Sequence, residues 1–176
     1  MLKALRTKGL ALRHWRMIGN KLNLGSGSGL DPSTLTLWKL IGLRLYEEEK
    51  LLVIKSICDI ANKEYAVQTT LETLEREMKA TEFDLTQFKD SETVIVLRLP
   101  ELLAIFDEYT MRVSVLRTNP FVKNFFDKML ELERTVKSVV EILAEWLGFQ
   151  RNWIYLENIF SLEEIQKQLD KETKKF

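Results

Sequence analysis

Apolar residues recur along this chain mainly in steps of three and four, the period of helices that bury one face. Leu51, Ile54, Cys58, Ala61 and Tyr65, continued by Leu71, Leu74 and Met78, form one such stripe and predict a helix from about Tyr46 to Ala80. Its start carries Glu47, Glu48 and Glu49, where the helix dipole favours acids. At about 1.5 Å per residue it would be roughly 50 Å long. Leu102, Ile105, Phe106, Tyr109, Val113 and Leu116 predict a second helix, opened by Pro100 and closed by a break at Asn119-Pro120. The strongest pattern follows: Phe125, Met129, Leu132, Val136, Val139, Leu143, Trp146, Gln150 and Trp153 alternate steps of four and three with one polar interruption. That spacing belongs to a long helix packed along another at a shallow angle.

The period changes between the first two of these helices. Phe83, Leu85 and Thr93-Val94-Ile95-Val96-Leu97 are aromatic and β-branched around a polar Lys89-Asp90-Ser91, which predicts a two-stranded hairpin near 83–97. A lone hairpin is marginal in water and should lie against the helices. Before the long helix, Asp31-Pro32-Ser33 has the composition of a helix start, with a short helix through Leu35, Leu37, Leu40 and Ile41 ending near Gly42. Near the end, Ser161-Leu162-Glu163-Glu164 reads as a capping box. The expected fold class is mainly α: an elongated bundle of long helices with one small β-hairpin.

Composition adds a division into segments. Residues 1–22 hold six bases and no acid, and the remainder holds 20 bases against 26 acids. A basic N-terminal helix over 1–24 should therefore pack Leu5, Leu12, Trp15, Ile18 and Leu22 inward and present its charges to solvent. Such a start is also typical of a mitochondrial presequence or a nucleic-acid contact. The solvated face is the simpler reading, and neither nucleic acid nor membrane is expected as a partner. No apolar run approaches the roughly 18 residues of a membrane span. Gly25-Ser26-Gly27-Ser28-Gly29 has the composition of a flexible tether, and alternation this pure reads as an engineered spacer over 25–29. The rod-like remainder would be 30–176.

Catalysis finds little support. The phosphate-loop pattern fails because Leu30 stands where a glycine is needed and no Gly-Lys-Ser/Thr follows. His14 is the only histidine and lies between Arg13 and Trp15, where a neighbouring cation disfavours a protonated base. Cys58 is the only cysteine and lies on an apolar stripe, which suits inert packing and excludes an internal disulfide framework. One Cys and one His cannot by themselves make a zinc site. No cofactor or metal is expected. Trp15, Trp38, Trp146 and Trp153 suit core packing first. The cluster of Trp146, Trp153 and Tyr155 around Arg151 also suits a docking surface. A helical adaptor or scaffold that binds partner helices through this Trp-rich stripe is the alternative to the reading below.

Several short motifs carry a family resemblance. Arg13-His14-Trp15 resembles the R-H-W that opens the linker region of dynein heavy chains. Phe83-Asp84-Leu85 followed by Phe88-Lys89-Asp90-Ser91 continues the pattern, and Asn119-Pro120-Phe121-Val122 is similar to the family's S-P-[YF]-V. The longest match runs from Glu145 to Ser161, through Trp146, Gln150, Trp153, Tyr155, Leu156 and Glu157, and resembles W-L-x-x-Q-x-x-W-x-Y-L-E-x-I-F-S. Ile165, Gln168-Leu169 and Phe176 fit the run beyond it. Leu132, Arg98 and Asp170 depart from the family's usual Trp, Gly and Pro. The ending resembles axonemal more than cytoplasmic heavy chains.

The resemblance implies a mechanical part. It would be the N-terminal portion of a helical lever that bends over a ring of AAA+ modules and transmits the ATP-driven stroke in microtubule-based movement. Its partners would be that ring, the rest of the linker and the tail, with microtubules contacted only indirectly. Its place would be the cytoplasmic cytoskeleton or the axoneme of a cilium. Arg13, His14, Trp15, Trp146, Gln150, Trp153 and Tyr155 would then be motif or docking residues. Bending is expected at junctions, here Asn119-Pro120 and Asn158 to Ser161.

Overall fold

A computed structural model describes residues 5–24 and 30–175. The Gly/Ser tether expected at 25–29 and the motif residue Phe176 lie outside the described residues. The described chain is mainly α, as predicted, with helices α1 (Leu12–Lys21), α2 (Leu37–Gly42) and α3 (Glu48–Lys79). The hairpin β1 (Leu85–Gln87) and β2 (Val94–Val96) follows, then α4 (Leu99–Arg117) and a 3₁₀ helix (Pro120–Phe125). That 3₁₀ turn runs directly into α5 (Phe126–Phe160), and α6 (Glu163–Gln168) and α7 (Asp170–Thr173) end the order.

The two longest helices form where the stripes predicted them. The buried face of α3 is Ile54, Ile57, Cys58, Ala61, Glu64, Val67, Leu71 and Leu74. Tyr65, expected inside, is exposed, and its neighbour Glu64 takes the inward position. The inward face of α5 runs through Met129, Leu132, Val136 and Leu143. Pro100 falls in the first turn of α4, where its missing N–H is not needed.

Four local expectations are corrected. Among the described residues the N-terminal helix is not continuous: turns and irregular backbone at 6–11 precede the helix Leu12–Lys21, and Leu12 is exposed while Trp15 and Ile18 are buried. Ile105 of α4 also faces outward. Asp31 does not cap α2: its Oδ1 accepts the Ser33 N–H at 2.9 Å and the Ser33 hydroxyl at 2.6 Å, closing a local turn. Those bonds hold the Asp31 carboxyl below its usual range. The cap of α2 is Thr36, whose hydroxyl accepts the Lys39 N–H. Nor does Ser161 cap α6. Its hydroxyl donates back to the Asn158 carbonyl at 3.1 Å, and Leu162 occupies the cap position without a side-chain bond.

The chain divides into two compact units, one drawn from the residues up to Leu74 and from Leu116–Met129, the other from Glu75–Val115 and from Leu130 onward. In the first, Trp15, Ile18, Leu30, Leu40, Leu45, Ile54, Ile57 and Cys58 form the core. Burial pushes the Cys58 thiol up, so it stays protonated and unreactive at neutral pH. Gly9 lies directly against α3: a Cβ there would overlap the Ala61 carbonyl oxygen and come within 2.7 Å of the Tyr65 Cβ.

The second unit holds the hairpin, an antiparallel pair in the register Leu85↔Val96, Thr86↔Ile95 and Gln87↔Val94. Leu97 donates to the Asp84 carbonyl and Phe88 to the Thr93 carbonyl. Antiparallel pairs alternate between bonded and non-bonded positions, so the Val96 N–H and C=O point away from β1 and need another partner.

Two glycines should respond to the same substitution with opposite signs. Gly9→Ala should cost about 1–3 kcal/mol through overlap with α3. Gly148→Ala, in the interior of α5 with open space around its Cα, should gain about 0.5–1 kcal/mol by removing backbone entropy from the unfolded chain. Urea denaturation of the two variants beside the parent chain measures both.

Candidate functional site: motif residues that pin two contacts

In the first unit the Arg-His-Trp motif starts α1 and meets α3. His14 is 0% exposed. Its Nδ1 accepts the Ala11 N–H at 3.0 Å, which is the returning half of a capping box at the start of α1. The ring proton therefore sits on Nε2, which donates to Glu64 Oε2 at 3.1 Å. Arg13 donates to the same oxygen through Nε at 2.9 Å and through Nη2. The other Glu64 oxygen accepts from Asn124 Nδ2 at 2.9 Å. One carboxylate thus ties together α1, α3 and the 3₁₀ helix. Arg13 also lies 5.7 Å from the centre of the Phe125 ring, and Trp15 enters the core beside Ile18. Both nitrogens of His14 are occupied, so the ring is placed to hold rather than to exchange a proton with a substrate.

In the second unit the long motif of α5 receives the hairpin. Trp146, Gln150, Trp153 and Glu157 are spaced four, three and four apart, which puts them on one face. The Gln150 amide pairs with both outward groups of Val96: its Oε1 accepts the Val96 N–H at 2.9 Å, and its Nε2 donates to the Val96 carbonyl at 2.8 Å. A side chain here takes the place of a neighbouring strand and covers an edge that would otherwise invite pairing. The Trp146 indole N–H donates to the same Gln150 oxygen at 3.1 Å and orients it. Trp153 meets Phe88 edge to face, with ring centres 5.3 Å apart at 74°. At the hairpin turn Lys89 donates to Glu157 at 2.8 Å and to Asn158 Oδ1 at 2.7 Å.

The remaining expected site residues sit as follows. Tyr155 faces outward. Asn119 accepts the Phe121 N–H at 2.9 Å, and Pro120 is the first residue of the 3₁₀ helix. Asn158 lies in the last turn of α5, and Ser161 is the first residue beyond it. Glu64, Asn124, Lys89 and Glu157 are the contributors that sequence reasoning left out of the site. Glu157 was legible as the next member of the 146, 150, 153 progression. Glu64 was legible as the one acid on the true buried stripe of α3.

The three departures from the family pattern are accommodated locally. Arg98 adopts φ 51°, a left-handed conformation that favours glycine, and its guanidinium pairs with Asp84 at the hairpin exit. Leu132 is buried. Asp170 is the first residue of α7, a position that proline would also fit.

These features describe a helical segment whose motif residues brace one element against another. The whole chain, residues 1–176, matches the family described as dynein heavy chain, N-terminal region 2, and the chain belongs to that family. Human dynein axonemal heavy chain 1 is 29% identical over 176 residues, covering all of this chain and 4% of the relative. Human dynein axonemal heavy chain 6 is 31% identical over 173 residues, covering 98% of this chain and 4% of the relative. For human dynein axonemal heavy chain 12 the match is 29% over 167 residues, 93% of this chain and 5% of the relative. The chain therefore spans about one twentieth of the length of these relatives.

Removing either partner of the first contact should cost very different amounts. Glu64→Ala leaves His14 and Asn124 donors unmatched and should destabilise by about 3 kcal/mol. Arg13, whose side chain is 41% exposed, should cost under about 1 kcal/mol on truncation to Ala. Denaturant midpoints at pH 7 read the contrast.

Proposed function

We propose that this segment is the N-terminal part of the linker of an axonemal-type dynein heavy chain. It works as a lever that bends over the AAA+ ring and transmits the ATP-driven stroke. The observation that carries the reading is the family match along the entire chain, joined to long α-helices of 32 and 35 residues. Helices of that length run roughly 50 Å each, and their close-packed stripes leave little slack to absorb force.

On this reading the segment is not itself an enzyme. ATP turnover belongs to the ring, and the segment's partners are that ring, the rest of the linker and the tail, with no direct grip on the microtubule. Its place is the ciliary axoneme, as the names of its relatives suggest. Bending is assigned to Asn119-Pro120 and to Asn158–Ser161, where one helix gives way to the next. The adaptor alternative has less to stand on. Trp15 is buried and Trp153 packs on Phe88 of the chain's own hairpin, so the four Trp form no continuous open stripe; Trp38 and Trp146, 82% and 42% exposed, lie on different helices.

The test is a kinked lever in the full heavy chain. Val139→Pro in the middle of α5 breaks the helix. Nucleotide-driven ATP turnover should stay within about twofold while microtubule gliding slows on the order of tenfold, a loss of coupling rather than of chemistry. Gliding that stays proportional to ATP turnover would remove the lever reading.

A further inference from the structure

The outer side of α5 carries an apolar row that the hairpin does not cover. Ile142, Trp146 and Phe149 are 63%, 42% and 62% exposed and line a shallow groove of about 560 Å³ with Glu141 and Glu145. The three apolar residues stand at i, i+4 and i+7, a straight row about 10 Å long on one side of a helix. Glu141 and Glu145, also one turn apart, form a rail along one edge of that row. At the other edge Trp146 adjoins Gln150 and, through it, the hairpin.

Two features give this row the character of a binding surface. The Trp146 ring is held by its N–H bond to Gln150, and the Phe149 ring lies 6.1 Å away. A pre-set aromatic pair loses little freedom when a partner arrives. The charge is also one-sided. From Ser138 to Gln150 there is no Lys or Arg. Glu141 and Glu145 make no ion pair with any described residue, whereas the preceding acid, Glu133, is matched by Lys137. A row of this length and straightness fits the i, i+3/i+4, i+7 anchors of a second helix better than an extended strand.

We propose that this face of α5 docks an amphipathic helix of another polypeptide, with its apolar anchors on Ile142, Trp146 and Phe149 and Lys or Arg along the edge that meets Glu141 and Glu145. The inference rests on the geometry and charge of α5 and does not depend on the lever reading.

The test uses the whole 176-residue chain and two designed, end-capped helical peptides. Both share the same Leu face; one has Lys along the flank and the other Glu. Fluorescence anisotropy at low salt reads binding, and sedimentation velocity reads self-association. The Lys peptide should bind the parent chain on the order of tenfold more tightly than its Glu twin, as two exposed ion pairs allow. The double variant Glu141→Lys/Glu145→Lys should reverse that preference. Ile142→Ser/Phe149→Ser should abolish binding of both peptides. All four substituted positions are exposed, so the unfolding midpoint checks that the variants remain folded. Equal binding of the two peptides, an unchanged preference after charge reversal, or no binding at all would overturn the proposal. So would a dimer that Ile142→Ser/Phe149→Ser dissociates, since the row would then belong to a second copy of this chain.

Discussion

A polar group taken out of water must find partners within hydrogen-bonding reach, or it costs the fold several kcal/mol. This chain places polar groups inside the stripes of its two longest helices, Glu64 buried in α3 and Gln150 half-buried in α5. Each is answered from far away in sequence. Glu64 collects Arg13, His14 and Asn124, and Gln150 collects both backbone groups of Val96. Among the described residues no buried side-chain nitrogen or oxygen is left without a partner. Apolar stripes alone would let a neighbouring helix or hairpin slide by a turn at small cost. A polar group that can be satisfied in only one register removes that freedom, and this is how the two units acquire defined internal contacts.

The same constraint explains why the residues that resemble the dynein linker pattern are the types they are. His suits position 14 because one ring nitrogen must accept from the start of its own helix while the other donates to a carboxylate. Gln suits position 150 because a strand edge presents a donor and an acceptor together, and only a carboxamide answers both. Glycine would suit position 98 because the hairpin leaves through a left-handed residue. Arg98 occupies it in this chain with an ion pair to Asp84. The motif is thus a record of internal bonding as much as of any external partner.

Much of the fold was legible from hydrophobic spacing. The predicted helix over 46–80 is Glu48–Lys79, the hairpin near 83–97 is β1 and β2, and the a/d row supplies the buried Met129, Leu132, Val136 and Leu143 of α5, while Trp146 further along it is 42% exposed. The failures share a cause. Reading α3 by its apolar residues put Tyr65 inside and Glu64 outside, because a carboxylate is discounted from a core until its partners are known, and those lie about 50 and 60 residues away. Asp31 and Ser161 were read as caps from composition, yet both spend their side chains on local turns, a competition that residue type alone does not decide. In the α5 site, Trp146 and Trp153 were legible as a cluster with Tyr155 and Arg151, and Gln150 as the polar interruption of the stripe. Their occupant, the chain's own hairpin, was not, because the pairing rests on a backbone edge that sequence does not display.

On the proposed lever reading each helix must keep its neighbours in place under load, which requires the motif residues to hold one another. Phe88 and Trp153 belong to different motifs and meet edge to face. A double-mutant cycle on Phe88→Ala and Trp153→Ala, read by urea denaturation, measures their coupling free of the losses each suffers alone. The account predicts a coupling of about 0.5–1.5 kcal/mol. Additive losses, with coupling indistinguishable from zero, would contradict it.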